Sequence, residues 1–265
     1  MKRGSFGAWL AFALGMIYFL APLVATVEFS MRVKRDGVNA YSFESYIQAF
    51  ANGNFQASFL YSVALALAAI ILGVALVLPT AYFVQLRLRK LRGLVEFITL
   101  LPLVIPAIVL VFGYIRLYDT SSYLPLTGSA AGTNVLLTLG YVALAMPYMY
   151  RAVDTGLSAI DVRTLTEAAE IQGADWFVVM TKVILPNIRV SILSGAFLTF
   201  AIVIGEFTFA SLLNCLTFGP YLQRVGAKQP YESAALSVMA FAITWACMGL
   251  IQFLGRGVPS TAGKR

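Results

Sequence analysis

The sequence predicts an all-α membrane protein in which six transmembrane helices make a single domain over residues 1–265. Composition, run length and charge placement point there together. The chain is 60% apolar and only 12% charged, against about 25% charge in soluble domains, and its mean hydropathy is +0.82. Its apolar runs reach roughly 20 residues, enough at about 1.5 Å per residue to cross a hydrocarbon core of about 30 Å. Lys and Arg gather at the ends of these runs rather than inside them.

Span one is expected over 9–27. Met1-Lys2-Arg3 before it could open a signal peptide, but the apolar run is long for that, and no small-residue cleavage site follows Val27-Glu28-Phe29. A retained span is the expectation. In 30–58, Phe43, Tyr46, Ile47 and Phe50 share one helical face, which predicts a short helix lying at the outer membrane surface. Span two covers 59–84, with Pro79 near its end, and Arg87, Arg89, Lys90 and Arg92 follow as an inside marker. Span three, 95–117, holds Pro102 and Pro106, so a kink or local unwinding is expected. The connection 119–133 is rich in Ser, Gly and Thr and has no helical period. Span four is placed at 134–153 with Pro147 inside, span five at 188–213 and span six at 234–254. The outer connection 214–231 carries Gly219-Pro220, Gly226 and Pro230.

The net charge of +7 is no nucleic-acid footprint, because the 19 Lys and Arg residues form neither an amphipathic face nor an aromatic-basic patch. Their bias places both termini, including Arg256, Lys264 and Arg265, and the connection after span four in the cytoplasm. Arg32, Lys34 and Arg35 run against the trend, beside Asp36 and Glu44.

The connection 161–186 is ordered where a plain loop would suffice. Val162, Leu165, Ala168 or Ala169, and Ile171 or Gln172 recur at helical spacing, and Thr164 and Glu167 stand at the separation of a reciprocal cap. Gly173 lets the backbone turn. A second short helix follows, with Asp175 as N-cap, Trp176, Met180 and Val183 on one side, Lys182 in the last turn and Pro186 as terminator. An apolar, aromatic element beside a membrane domain suggests a docking surface for a soluble partner, and Trp176 and Phe177 are its anchors.

The order Glu167-Ala168-Ala169, three residues, Gly173, nine residues, Val183, one residue, Leu185-Pro186 resembles the signature loop of the inner-membrane permease subunits of bacterial type I ABC importers. Val183 stands where that family often has Ile. Leu101-Pro102-Leu103-Val104-Ile105-Pro106 is similar to the start of the family's third span, especially in branches handling polyamines, iron, oxyanions and phosphonates. The resemblance implies that the connection is a cytoplasmic coupling-helix loop seated in a groove of an ATPase subunit. Glu167, Ala168, Ala169, Gly173, Ala174, Asp175, Trp176, Phe177, Leu185 and Pro186 would then be the coupling residues. It also implies a second homologous permease subunit, two ATP-binding cassette subunits carrying ATP and Mg, a periplasmic or extracellular binding protein, and a place in the bacterial inner membrane. Putrescine or spermidine is the solute expected first, with ferric ion or a phosphonate as alternatives.

Catalytic chemistry finds little support. The chain has no His and two Cys, Cys215 and Cys247, so His-based metal sites and Cys-His nucleophiles are excluded, and their places near and within spans argue against a disulfide. No Gly-x-x-x-x-Gly-Lys-Ser/Thr loop is present, so neither ATP nor another cofactor is expected on this chain. Within the spans, Glu206 in Ile204-Gly205-Glu206-Phe207 could face a cavity or gate or join an ion pair. Tyr114 and Tyr148, with Tyr118 and Tyr141, could present hydroxyls or ring faces to a solute, or simply pack. Glu96 reads as interfacial, Glu28 as a group reaching water at an outer end, and Asp154 and Arg151 as markers of the inner end of span four. A secondary transporter or a complex-assembly subunit remains the alternative reading, although a single strong intramembrane acid is meagre for ion coupling.

Overall fold

The computed structural model describes residues 5–35 and 38–255. The expectations for Met1-Lys2-Arg3, Asp36 and the basic tail from Arg256 lie outside these residues, as does the side chain of Cys247. The chain divides into two compact units, one of residues 1–57 and 221–243, the other of residues 58–220 and 244–265.

In the first unit α1, Ser5–Ser30, is apolar along its length and almost wholly exposed. A hairpin follows, β1 (Arg32–Arg35) pairing antiparallel with β2 (Val38–Tyr41). Sequence alone did not predict it, because strands this basic carry no apolar alternation. Glu28 is anchored rather than merely hydrated: one carboxylate oxygen accepts from Arg32 Nε at 2.8 Å and from the Tyr41 hydroxyl at 2.7 Å. The short helix expected around Phe43 is α2, Glu44–Ala51. It buries Ser45 and Ala49 and leaves Phe43, Ile47 and Phe50 exposed, the orientation an interfacial helix needs.

The second unit contains most of α3, Gly53–Leu86. Then come α4, Arg92–Val104, and α5, Ala107–Leu117, bent by 100° at Ile105-Pro106. The bend is therefore a full break, and Pro102 sits inside α4 without ending it. Pro106 lacks an N–H and holds Ile105 extended. Next is α6, Ala130–Ser158, the most buried of the long helices. It packs closely on α9, Arg189–Gly205, because glycines admit the neighbours: a Cβ on Gly195 would lie 2.8 Å from Met149 Sδ, and one on Gly156 only 2.6 Å from Ser191 Cβ. Between α6 and α9 lie α7, Val162–Ile171, and α8, Trp176–Asn187. After α9 come α10, Thr208–Leu212, and α11, Phe218–Gly226.

The helix α11 lies in the connection 214–231, to which the sequence reading assigned no element. Pro220 stands in the first turn, where its missing N–H costs nothing, and the Phe218 N–H donates to Ser62 Oγ at 2.8 Å. The last helix, α12, is Pro230–Gly255. Among the described residues, α1, α3 and α6 are long and apolar enough to cross a membrane, and the pairs α4–α5 and α8–α9 bring the number to five if each is one bent span. The sixth predicted span, 234–254, falls in α12, whose later side chains lie outside the described residues.

Two apolar cores fill the second unit. One gathers Leu65, Ala69, Leu137, Tyr141, Val203 and Phe209. The other joins Leu78 and Tyr82 of α3 and Val153 of α6 to Val162, Met180 and Ile184 of the connection.

Candidate functional site

The connection after α6 is built from two capped helices on that second core. Asp161 starts α7: one carboxylate oxygen accepts from Thr164 N–H at 3.1 Å, the other from Thr164 Oγ1 at 2.7 Å. These bonds, the hydroxyl's first, hold the Asp161 carboxyl below its ordinary range. The reciprocal cap expected between Thr164 and Glu167 does not form. The helix begins one turn earlier, so Thr164 is already its third residue, and Glu167 pairs instead with Arg163 at 2.8 Å on the exposed face. Val162 and Thr166 are buried, and Ala169 is partly so. Thr166 Oγ1 donates to the Val162 carbonyl at 2.7 Å and lies 3.1 Å from the Tyr82 hydroxyl, which fixes α7 to α3.

Gly173 ends α7 with φ +81°. Its N–H donates to Glu170 O at 2.9 Å, and Ala174 N–H donates to Ala169 O at 3.0 Å, the paired bonds of a glycine-terminated helix. Asp175 then caps α8 by accepting from Val178 N–H at 2.8 Å. Pro186 does not terminate α8, as the sequence suggested. The helix widens to a π-turn over Val179–Ile184 and runs on to Asn187. Asn187 Nδ2 donates to the Val183 carbonyl at 2.7 Å. A bend of 81° follows at Ile188, into α9.

Three large apolar side chains project from this junction: Ile171 is 87% exposed, Phe177 66% and Trp176 46%. Trp176 stacks on Phe83 of α3, ring centres 6.1 Å apart and planes within 6°. Glu167, Ala168, Gly173, Asp175, Leu185 and Pro186 are also exposed, and Ala174 is half-buried. Ile171 is one of the two residues, with Gln172, that the sequence reading allows on the Val162 face. It stands nine residues after Val162, half a turn round the helix, so that signal was present in the spacing.

At the start of α7 lies a polar cleft of about 630 Å³ that includes Gln85, Arg92, Ser158 and Asp161. Asp154, read from sequence as a boundary marker, is buried and bonds two of the cleft's lining residues. Its carboxylate accepts from Arg92 Nη2 at 2.9 Å and from Gln85 Nε2 at 3.0 Å, while Arg92 Nε also pairs with Glu96 at 2.9 Å. Gln85 Nε2 is 2.9 Å from Ser158 Oγ as well. These bonds tie α3, α4 and α6 together.

The residues expected on a path separate into two places. Glu206 is not within a helix: α9 stops at Gly205, and Glu206 is extended, its two carboxylate oxygens each 3.0 Å from Phe209 N. It therefore caps α10, and no ion pair to it occurs among the described residues. Phe209 links this break to Tyr114, edge to face at 5.8 Å. Tyr148 lies elsewhere, in a groove of about 450 Å³ between α4, α6 and α9.

Comparison with known proteins agrees with this architecture. Residues 78–258 match the family described as the inner membrane component of binding-protein-dependent transport systems. The molybdenum transport system permease protein ModB of Mycobacterium tuberculosis is 32% identical over 209 residues, 69% of this chain and 74% of that protein. The probable ABC transporter permease protein y4fN of Sinorhizobium fredii is 27% identical over 215 residues, 77% of this chain but 36% of its own length. A probable molybdenum ABC transporter permease of Haloferax volcanii is 33% identical over 151 residues, 55% of this chain and 54% of its own. The chain thus spans about a third of the length of y4fN and about half of that of the Haloferax protein. Among solved structures, a chain of a bacterial alginate ABC transporter in complex with an alginate-bound periplasmic protein superposes with TM-score 0.67 over 94% of both chains at 14% identity. An amino acid ABC transporter gives TM-score 0.56 over 83% of this chain and all of that one, at 16% identity. The fold is that of type I ABC importer permeases, and the chain belongs to the family of inner membrane components of binding-protein-dependent transport systems.

Proposed function

We propose that this chain is one of a pair of related permease subunits of an ATP-driven importer, and that α7 and α8 convert the motion of an ATPase subunit into alternating access. The observation that carries this reading is the α7–α8 junction itself: a glycine-hinged helical pair, rooted in the core by Val162, Thr166 and Met180, that turns Ile171, Trp176 and Phe177 outward. Large exposed side chains on a rigid base are what a groove in a partner would grip. Glu167, Ala168 and Ala169 would line the contact, with Ala168 small and exposed for close approach. ATP and Mg would sit on two separate ATP-binding cassette subunits on the cytoplasmic side, and a soluble binding protein would deliver solute from the other. Glu206 and Tyr114 would mark one part of the path and Tyr148 another.

For the solute, relatives named for molybdenum transport favour a molybdenum oxyanion over the polyamine expected from sequence. Purification of the complex with its ATPase tests the role. Substitutions at Trp176 and Phe177 should weaken ATPase association and lower binding-protein-stimulated turnover, and intact association with intact turnover would refute coupling. Thermal shifts of the cognate binding protein with molybdate, spermidine and aminoalkylphosphonate identify the solute. Uptake by this chain alone in an ion gradient without ATP would instead support a secondary transporter.

A further inference from the structure

Arg151 faces a groove whose other features its reading as a boundary marker leaves unexplained. The groove of about 450 Å³ is walled by Leu100 and Leu103 of α4, by Tyr148, Arg151 and Thr155 of α6, and by Ser191, Ser194 and Leu198 of α9. Arg151 lies one helical turn from Tyr148 and one from Thr155, within a helix long and apolar enough to span a membrane. Asp154, three residues on, does not neutralise it, because Asp154 is committed to Arg92 and Gln85. Among the described residues Arg151 has no ion pair. Thr155 and Ser194 direct their hydroxyl protons to the carbonyls of Arg151 and Val190. Among the described residues the Tyr148 and Ser191 hydroxyls have no such acceptor.

Arg151 stands near the C-terminal end of α6, one turn from the Asp154–Arg92 pair, and its guanidinium donors are open to whatever enters the groove. Its planar fork, backed by two hydroxyl donors and set between apolar walls, matches the oxygens of an anion. We infer that Arg151, with Tyr148 and Ser191, forms a transient binding site for a free tetrahedral oxyanion on its way through the permease. The inference deepens the importer reading and rests on it. A fixed positive charge in this groove opposes polyamine passage by like-charge repulsion and admits oxyanions, so Arg151 acts as a specificity residue.

The test uses the complete complex, with ATPase subunits and binding protein, in proteoliposomes, and measures ATP-dependent uptake of molybdate and of spermidine. Wild type is expected to take up molybdate. Arg151→Gln should lower molybdate uptake about tenfold, Arg151→Lys should recover it to within about threefold of wild type, and Ser191→Ala should fall between, with all complexes eluting at the wild-type size. Arg151→Gln transporting molybdate at the wild-type rate overturns the assignment. So does a loss of molybdate uptake in Arg151→Gln that varies with the anionic-lipid content of the vesicles, which would assign Arg151 to a lipid headgroup. ATP-dependent uptake of spermidine but not molybdate by the wild-type complex refutes the oxyanion site and leaves the importer standing. Absence of ATP-dependent uptake of any solute delivered by the binding protein refutes the importer reading itself.

Discussion

Replacing Gly173 separates backbone conformation from contact more cleanly than any other change in the connection. Gly173 has φ +81°, and nothing lies within 4 Å of a Cβ placed on it. The cost of Gly173→Ala is therefore conformational alone, about 1–2 kcal/mol for an L-residue in the left-handed region. Asparagine tolerates that region better, so Gly173→Asn should cost less. A penalty of about 1.4 kcal/mol corresponds to a tenfold shift in a local opening equilibrium. It would be felt first by the two bonds that close α7, from Gly173 N–H to Glu170 O and from Ala174 N–H to Ala169 O. Hydrogen exchange on the purified protein should show the amide of Ala174 exchanging about tenfold faster in the Ala variant and only a few-fold faster in the Asn variant. Amides in the middle of α6 should be unchanged. Equal exchange in Gly, Asn and Ala proteins, or an Asn variant worse than Ala, would refute the conformational argument. In the reconstituted complex the same order, Gly then Asn then Ala, is expected for solute moved per ATP hydrolysed.

Asp154→Asn removes the carboxylate that receives Arg92 and Gln85. Arg92 is about half exposed and partly compensated by Glu96, so the loss should be about 1–2 kcal/mol rather than that of a fully buried pair, read as a lower Tm in detergent; an unchanged Tm would deny Asp154 its tying role. Tyr82→Phe deletes the hydroxyl 3.1 Å from Thr166 but leaves Thr166 bonded to Val162, so a cost of about 0.5–1.5 kcal/mol is expected, with faster exchange confined to α7. Trp176→Ala should lose the stack on Phe83, about 0.5–1.5 kcal/mol, and weaken ATPase association far more than it lowers Tm; a parallel fall in both would make Trp176 a packing residue only. Asp161 supplies a pH test. Hydrogen bonding from Thr164 lowers its folded pKa beneath the ordinary 3.8, so its cap contributes fully above that value and is lost as pH falls through the folded one. Exchange at the start of α7 should rise in that acid window and should lose this dependence in Asp161→Asn.

Much of the site follows local rules that a sequence displays. Asp175 ahead of Trp176, Gly173 between two periodic runs, and the Ile105-Pro106 break each rest on one or two residues and their immediate neighbours. Where competition decided, the sequence was ambiguous. The spacing of Thr164 and Glu167 suggested a cap, but Asp161, one turn earlier, caps α7 instead. The helix α11 was not foreseen: its first residue, Phe218, bonds Ser62, far along the chain. The Asp154 cluster was illegible for the same reason. Gln85, Arg92 and Asp154 become partners only when three helices have packed, and nothing in the surroundings of any one of them announces the others. Glu206 was visible as an acid in an apolar run, but its role as the cap of α10 required a helix to stop at Gly205.

The placing of Tyr82 and Gln85 on α3 has a mechanical consequence. Tyr82 receives α7 at Thr166, and Gln85, less than one turn further on, holds α6 at Asp154 and Ser158. A push on α7 therefore enters α3 almost where α3 is clamped to α6 and, through Asp154 and Arg92, to α4. The lever arm between load and clamp is about 5 Å at 1.5 Å per residue, too short to bend, so force arriving there tilts three helices as one stiff piece. The π-turn of α8 lies next along the chain, ahead of the 81° corner into α9.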